Sequence, residues 1–199
     1  MPTYIINAME PKKKILVIGM VYIAIVLVYL LFLDQLLAFD IWLSAAISAY
    51  STASLDSIFI TITFMGSIIF WLLIVSMLWM RKDKKSAAIL FTALAIGEAL
   101  TGIMKFSFMR TRPDMGIVKA IGPSFPSGHT TRVSIGALMI KYYRVLFILI
   151  AVLVSFSRIY LGVHFFSDIL FGVLNSVMIV YCIQLIPEKK IDRILKKIS

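Results

Sequence analysis

Cysteine is almost missing from this sequence. Cys182 is the one thiol in 199 residues, which excludes an intrachain disulfide and a zinc site built from several thiolates. Charge is scarce too. Asp, Glu, Lys and Arg make up 15% of the chain, where an ordinary soluble domain carries about 25%. Acids are the scarcer sign, ten against twenty basic residues, and histidine occurs only at positions 129 and 164. No internal repeat, low-complexity tract or soluble domain is visible. A cytosolic enzyme, a secreted disulfide scaffold and a disordered tail are all excluded.

What the chain has in excess is apolar surface. Hydrophobic residues account for 61%, more than a soluble fold of this size can hide, so the solvent must be lipid. The net charge of +10 then reads as Lys and Arg anchoring cytoplasmic loops, not as a nucleic-acid surface. No nucleic-acid partner is expected. A crossing needs about 20 mostly apolar residues to span a hydrocarbon layer of ~30 Å. Residues 15–33 and 57–80 qualify without a charge. The segment 86–104 is interrupted by Glu98 alone, 145–163 by Arg158 and 165–186 by Asp168. A shorter segment, 127–141, begins in a Pro-Ser-Gly-His run and ends at Lys141. The expected fold is all-α, a bundle of six transmembrane helices forming one domain over 1–199. A cleaved signal peptide competes for the first segment, but the apolar run is longer than the roughly 7–15 residues of such a peptide.

Six crossings make the loops alternate sides. Lys12, Lys13, Lys14, Arg81, Lys82, Lys84, Lys85, Lys141 and Arg144 fall on one side, with Lys189, Lys190, Arg193, Lys196 and Lys197 of the tail. These are fourteen of the twenty cations. That excess marks the cytoplasm, so both termini of a multi-pass cell-membrane protein are expected inside. Two segments look interfacial. In 34–56, Asp40, Ser44, Ser48 and Ser51 recur at helical spacing opposite Leu36, Phe39, Leu43, Ile47 and Tyr50. That suits a helix lying on the outer surface. In the basic amphipathic tail 187–199, Ile191, Ile194, Leu195 and Ile198 form an apolar stripe, and its five cations suit anionic headgroups inside.

The other six cations, Lys105, Arg110, Arg112, Lys119, Arg132 and Arg158, run against the bias. Arg158 lies about 8 Å below the outer end of its span at 1.5 Å per residue. A charge at the membrane centre costs about 2.5–3.5 kcal/mol, and such groups are paired or functional. The helix ends at the outer face carry Lys105 and Arg112, then Ser127, Gly128 and His129, then Ser157 and Arg158, then His164 and Asp168. Three cations in one polar cavity suit a phosphate or diphosphate, with arginine donating in parallel to two oxygens. Ser127 and Gly128 stand where a helix begins, so free backbone N–H groups also face an anion there.

His164 and Asp168 are four residues apart and share a helix face. A carboxylate that holds one ring nitrogen as an N–H donor leaves the other as nucleophile or base. His129, on another helix, can protonate a leaving group. One imidazole must then be neutral and the other protonated, so a bell-shaped pH profile is expected. Ser157 reads as a brace. Arg132, one turn from His129, either touches substrate or pairs with Glu98, which lies seven residues before Lys105.

The pattern Lys105-x6-Arg112-Pro113, Pro126-Ser127-Gly128-His129 and Ser157-Arg158-x5-His164-x3-Asp168 resembles the three-part signature of the type 2 phosphatidic acid phosphatase superfamily. All three parts are present in order, and they cover about residues 86–175. The resemblance implies the phosphatidic acid phosphatase type 2/haloperoxidase-like core and a metal-independent phosphatase with no cofactor. On that pattern His164 attacks phosphorus, Asp168 orients it and His129 protonates the departing oxygen. Water then hydrolyses the phosphohistidine. Lys105, Arg112, Ser127, Gly128 and Arg158 hold the phosphoryl oxygens. Vanadium haloperoxidases share the signature but are soluble, which this composition opposes.

A site on the outer face is expected to meet lipid phosphates of the outer leaflet. The short segment between Pro113 and Pro126 leaves no room for a headgroup-binding domain. Polyprenyl diphosphate, dephosphorylated to the monophosphate, fits best. The resemblance also permits phosphatidylglycerophosphate, phosphatidic acid or a lipid A phosphate. A lipid or phosphate transporter is the reading from another class, with Glu98 and the cations along a path. Membrane lipids are expected partners, and the sequence leaves the oligomeric state open.

Overall fold

The structure, a computed structural model, describes residues 10–114, 116–187 and 192. The described residues form eight α-helices and one 3-10 turn, with no strand among them. In hydrocarbon each backbone N–H and C=O must be satisfied within its own segment, so these apolar runs become helices. In chain order they are α1 (Pro11–Leu31), α2 (Leu33–Ser48), α3 (Ala53–Thr63), the turn Phe64–Gly66, α4 (Ile68–Met80), α5 (Lys84–Phe108), α6 (Gly128–Met139), α7 (Arg144–Tyr160) and α8 (Phe166–Gln184). Short polar side chains start four of them. Thr52, Ser67, Asp83 and Ser127 accept the N–H of Leu55, Phe70, Ser86 and Thr130 at the heads of α3, α4, α5 and α6.

Three described helices, α1, α5 and α8, are long and apolar enough to cross a membrane, and up to four crossings result if the pair α3–α4 counts as one. The sequence predicts that pair as one continuous span over 57–80. The structure bends it by 48°, because the ladder stops at Gly66 and Ser67 restarts it as the cap of α4. The expected six crossings are therefore not reached by length and composition. With 12 residues α6 extends about 18 Å, and with 17 residues α7 extends about 25 Å.

A helix, α2, forms where the sequence predicts an interfacial one, and its polar stripe does not face outward as a whole: Leu36 and Ile47 pack against buried clusters. Asp40 and Ser44 are buried where α2 packs on α7 and α8, while Phe39, Ile41 and Trp42 are exposed. Asp40, which would seek water on a soluble helix, turns inward here because Arg110 and Ser167 inside the bundle replace that water. The tail 187–199, apart from Pro187 and Asp192, lies outside the described residues.

At the centre, α6 packs against α5, α7 and α8. Its Val133, Ile135 and Ala137 join Trp71, Leu90, Leu94, Val154, Ile179 and Val180 in the largest buried cluster. The outermost helix, α1, leaves Leu16, Ile23, Leu27 and Leu31 exposed. It is tied in by Tyr29, which stacks on Phe125 with ring centres 5.1 Å apart. This arrangement gathers the end of α5, the start of α6, the end of α7 and the start of α8 in one place.

Candidate active site

The α7–α8 turn sets the first pair of groups. Arg158 sits in the last turn of α7, and its carbonyl accepts the N–H of both Val163 and His164 at 3.2 Å. Gly162 makes the reversal with φ +64°, a left-handed conformation open to glycine at little cost. The five-residue gap between Arg158 and His164 is thus the length of this turn. Asp168, near the start of α8, accepts the Phe165 N–H at 2.9 Å, reaching back as the acid of a capping box does. The same oxygen lies 3.3 Å from His164 Nδ1. With Nδ1–H donated to that carboxylate, Nε2 keeps its lone pair.

Burial pushes the His164 pKa down to about 4, against the hydrogen bond and the charge of Asp168, which raise it. Between about 4 and its ordinary value near 6.5, the unfolded chain takes up a proton that the folded imidazole refuses. The stability tied to this group is therefore present above about 6.5 and lost as pH falls through about 4. Nitrogen NMR titration of a His129→Asn variant, which retains one imidazole, is expected to give a midpoint well below 6.5. A midpoint at or above 6.5 contradicts this.

The second group comes from the head of α6. Ser127 N–H donates to the Asp168 carbonyl at 3.0 Å, which joins the starts of α6 and α8. Ser127 Oγ accepts the Thr130 N–H at 3.4 Å and the Thr130 hydroxyl at 3.1 Å, so it serves its own helix as cap. Gly128 opens α6 with backbone N–H groups unmatched within the helix. His129 follows, partly buried; a methyl group on Gly66 would lie 2.8 Å from its Cδ2.

The cations close the ring. Arg112 donates to the carbonyls of Ile121, Gly122, Pro123 and Val163, the last at 2.6 Å. Lys105 Nζ donates to the carbonyls of Pro123 and Ser124. Arg158 Nη1 donates to Thr63 Oγ1 at 2.7 Å, while its Nε is buried without a partner. Ser157 bonds the Val154 carbonyl at 2.6 Å within its own helix. Lys105, Arg112, Ser127, Gly128, His129, Arg158, His164 and Asp168 thus converge at one end of the bundle. Among the described residues no three His, Cys, Asp or Glu side chains group as metal ligands would. The assembled charge is cationic and suits an anion.

Sequence reasoning missed Arg110, Asp40 and Ser167. Arg110 Nη1 donates to Asp168 Oδ1 at 2.9 Å and to Ser167 Oγ at 2.6 Å, and Nη2 donates to Asp40 Oδ2 at 2.7 Å. Its guanidinium lies 4.4 Å from the centre of the Phe165 ring. Burial opposes the charge of Arg110, but Asp168 and Asp40 outweigh it and hold the pKa above its ordinary value. Asp40 also accepts from the Ser167 N–H and hydroxyl. The signals in the sequence were Asp40, an acid in a largely apolar stretch, and Arg110, a cation against the topological bias. Arg132 pairs with Glu98, Nε to Oε1 at 2.6 Å.

The family model of the PAP2 superfamily matches residues 86–192. The chain is 28% identical over 180 residues to an undecaprenyl-diphosphatase from Sulfolobus acidocaldarius, covering 82% of this chain and 87% of that protein. It is 32% identical over 106 residues to phosphatidylglycerophosphatase B from Bacillus subtilis, covering 45% of this chain and 52% of that protein. The crystal structure of a transmembrane PAP2-type phosphatidylglycerolphosphate phosphatase from Bacillus subtilis matches with a TM-score of 0.67 at 24% identity, over 80% of this chain and 93% of that chain. That likeness is one of fold.

Proposed function

The chain belongs to the PAP2 superfamily, whose members similar to it are lipid phosphatases of the hydrolase class, and we propose that it removes the terminal phosphate of a polyprenyl diphosphate. The observation that carries this reading is the buried His164–Asp168 pair set among cations from separate helix ends. His164 Nε2 forms a bond to the terminal phosphorus as the bond to the bridging oxygen breaks. The electron pair leaves on that oxygen, which takes a proton from His129. Water then attacks the phosphohistidine, giving up a proton to His129 and releasing inorganic phosphate.

Lys105, Arg112, Arg158 and the first N–H groups of α6 hold the three equatorial oxygens, and this charge stabilisation supplies most of the catalysis. The whole chain is read as one domain with six crossings, both termini in the cytoplasm and the site facing outside. In that arrangement α6 and α7 cross only with the residues that flank them.

Support for a diphosphate comes from the Sulfolobus relative, named for it and matched over most of its length. A glycerolipid phosphate is the second reading. It is favoured by the Bacillus phosphatidylglycerophosphatase, which this chain matches over about half of that protein.

Phosphate release by purified protein in detergent, with EDTA present, tests the proposal. A polyprenyl diphosphate, phosphatidylglycerophosphate and phosphatidic acid are compared, with His164→Ala as control. Preferential, His164-dependent release from the diphosphate is the expected result. Preference for a glycerolipid overturns the substrate and keeps the chemistry. No release from any of the three overturns the mechanism and brings forward lipid or phosphate transport.

A further inference from the structure

Two buried polar groups beside the site have no part in the chemistry above. Arg132, on α6, has a side chain 12% exposed. Its Nε donates to Glu98 Oε1 at 2.6 Å, Nη2 reaches Glu98 Oε2 at 3.4 Å and Nη1 donates to the Gly66 carbonyl. A guanidinium carries five N–H donors, so these contacts leave donors over. The group leans back over the head of its own helix: a methyl group at Gly128 would lie 3.3 Å from Arg132 Nη2 and 3.6 Å from Thr101 Cγ2. Thr101 itself is 4% exposed, and its hydroxyl is buried with no partner. Buried hydroxyls ordinarily find one, so an orphan calls for a reason.

Position on α5 supplies that reason. Glu98, Thr101 and Lys105 are spaced three and four apart and so share one helix face. The Glu98 side chain is 39% exposed, whereas Thr101 is buried. The row therefore leads from the flank of the bundle to the phosphate-holding cations.

We propose that Arg132 and Thr101 form a second phosphate subsite, which holds the lipid-linked phosphate of a diphosphate while the terminal phosphate sits among Lys105, Arg112 and Arg158. This inference deepens the proposed function and rests on it. When His164 Nε2 bonds to the terminal phosphorus, the electron pair of the broken bond goes to the bridging oxygen, and negative charge grows on the departing lipid monophosphate. Arg132 meets that charge, Thr101 donates its hydroxyl, and Glu98 fixes the guanidinium in place. A lipid phosphomonoester has no second phosphate. Its leaving group is an alkoxide, a far stronger base, which has the proton of His129 alone to stabilise it. The same cavity then separates two substrate classes by whether Arg132 adds to what His129 supplies.

The test compares prenyl diphosphate with prenyl monophosphate of the same chain length, for the wild type, Arg132→Gln, Arg132→Lys and the double variant Glu98→Gln/Arg132→Gln. The double variant removes both charges together, so neither is left uncompensated. The readout is the ratio of kcat/KM for the two substrates, which a general loss of fold does not change. That ratio is expected to fall about tenfold or more in Arg132→Gln and in the double variant, with part restored in Arg132→Lys. Methylenediphosphonate, assayed as an inhibitor on whichever substrate turns over, is expected to weaken about tenfold while inorganic phosphate changes little.

An unchanged ratio and unchanged inhibition by methylenediphosphonate overturn the subsite and leave Arg132 a purely structural role. A wild type that releases nothing from the diphosphate overturns the proposed function. The inhibition arm still reads the subsite in that case, so the two failures are told apart.

Discussion

Arg110→Gln is expected to lower kcat by about 100-fold or more and to destabilise the fold by about 3–5 kcal/mol. Arg110 is bonded to two buried carboxylates, Asp40 and Asp168, exposed by 1% and 0%. Without it two buried carboxylates lose the cation between them, and Asp168 is free to turn away. A displaced Asp168 no longer receives the His164 Nδ1–H, so the imidazole loses both its tautomer and its aim. The Arg110 guanidinium touches Ser167, Asp168, Asp40 and the Phe165 ring, so the loss belongs in kcat more than in KM. Steady-state kinetics with thermal unfolding in the same detergent reads both effects. A variant with near-normal kcat shows that Asp168 needs no help to stay in place.

Gly136→Ala is expected to disrupt the core. A methyl group there would lie 1.8 Å from Trp71 Cη2 and 2.2 Å from Cζ3, far inside van der Waals contact. Trp71 is fully buried between the rings of Phe70 and Phe147, with centres 5.6 and 5.9 Å away, so it has nowhere to go. Overpacking costs about 1–3 kcal/mol and occasionally more, and an overlap this deep belongs at the upper end. A fall in Tm of several degrees is expected, with part of it recovered by adding Trp71→Phe, because the two positions share one contact. A Gly136→Ala protein as stable as the wild type shows that α4 can shift away from α6.

The residues of the candidate site were legible as charges and imidazoles at the ends of hydrophobic runs. Lys105, Arg112, His129, Arg158, His164 and Asp168 all stand at such ends, and the spacing of Arg158 and His164 follows the turn at Gly162. The Arg110–Asp40 pair was not legible. Its partners lie 70 residues apart, and no local spacing links α2 to the loop after α5. The inward turn of Asp40 on α2 was missed for a related reason. An amphipathic pattern says that one face differs from the other, and the partners inside the bundle decide which residues turn inward. The bend between α3 and α4 was hidden because Gly66 and Ser67 are mild interruptions in sequence, whereas the approach of Gly66 to His129 is a tertiary fact.

The bond from Ser127 N–H to the Asp168 carbonyl pins α6 to α8 at their starting ends, and Gly172 lets them lie close: a methyl group there would meet the Ser127 carbonyl at 2.9 Å. Ser176 adds a bond to the Thr131 carbonyl at 2.9 Å, also near the head of α6, whereas Ala137, Val180 and Ile183 toward the other ends meet in apolar contact, which lets surfaces slide. A bilayer that grows thicker or thinner asks embedded helices to change their tilt. Helices pinned at one end answer by swinging at the other, like the legs of a compass. The distance between His129 and His164, carried next to the pivot, is then insulated from the thickness of the membrane around it.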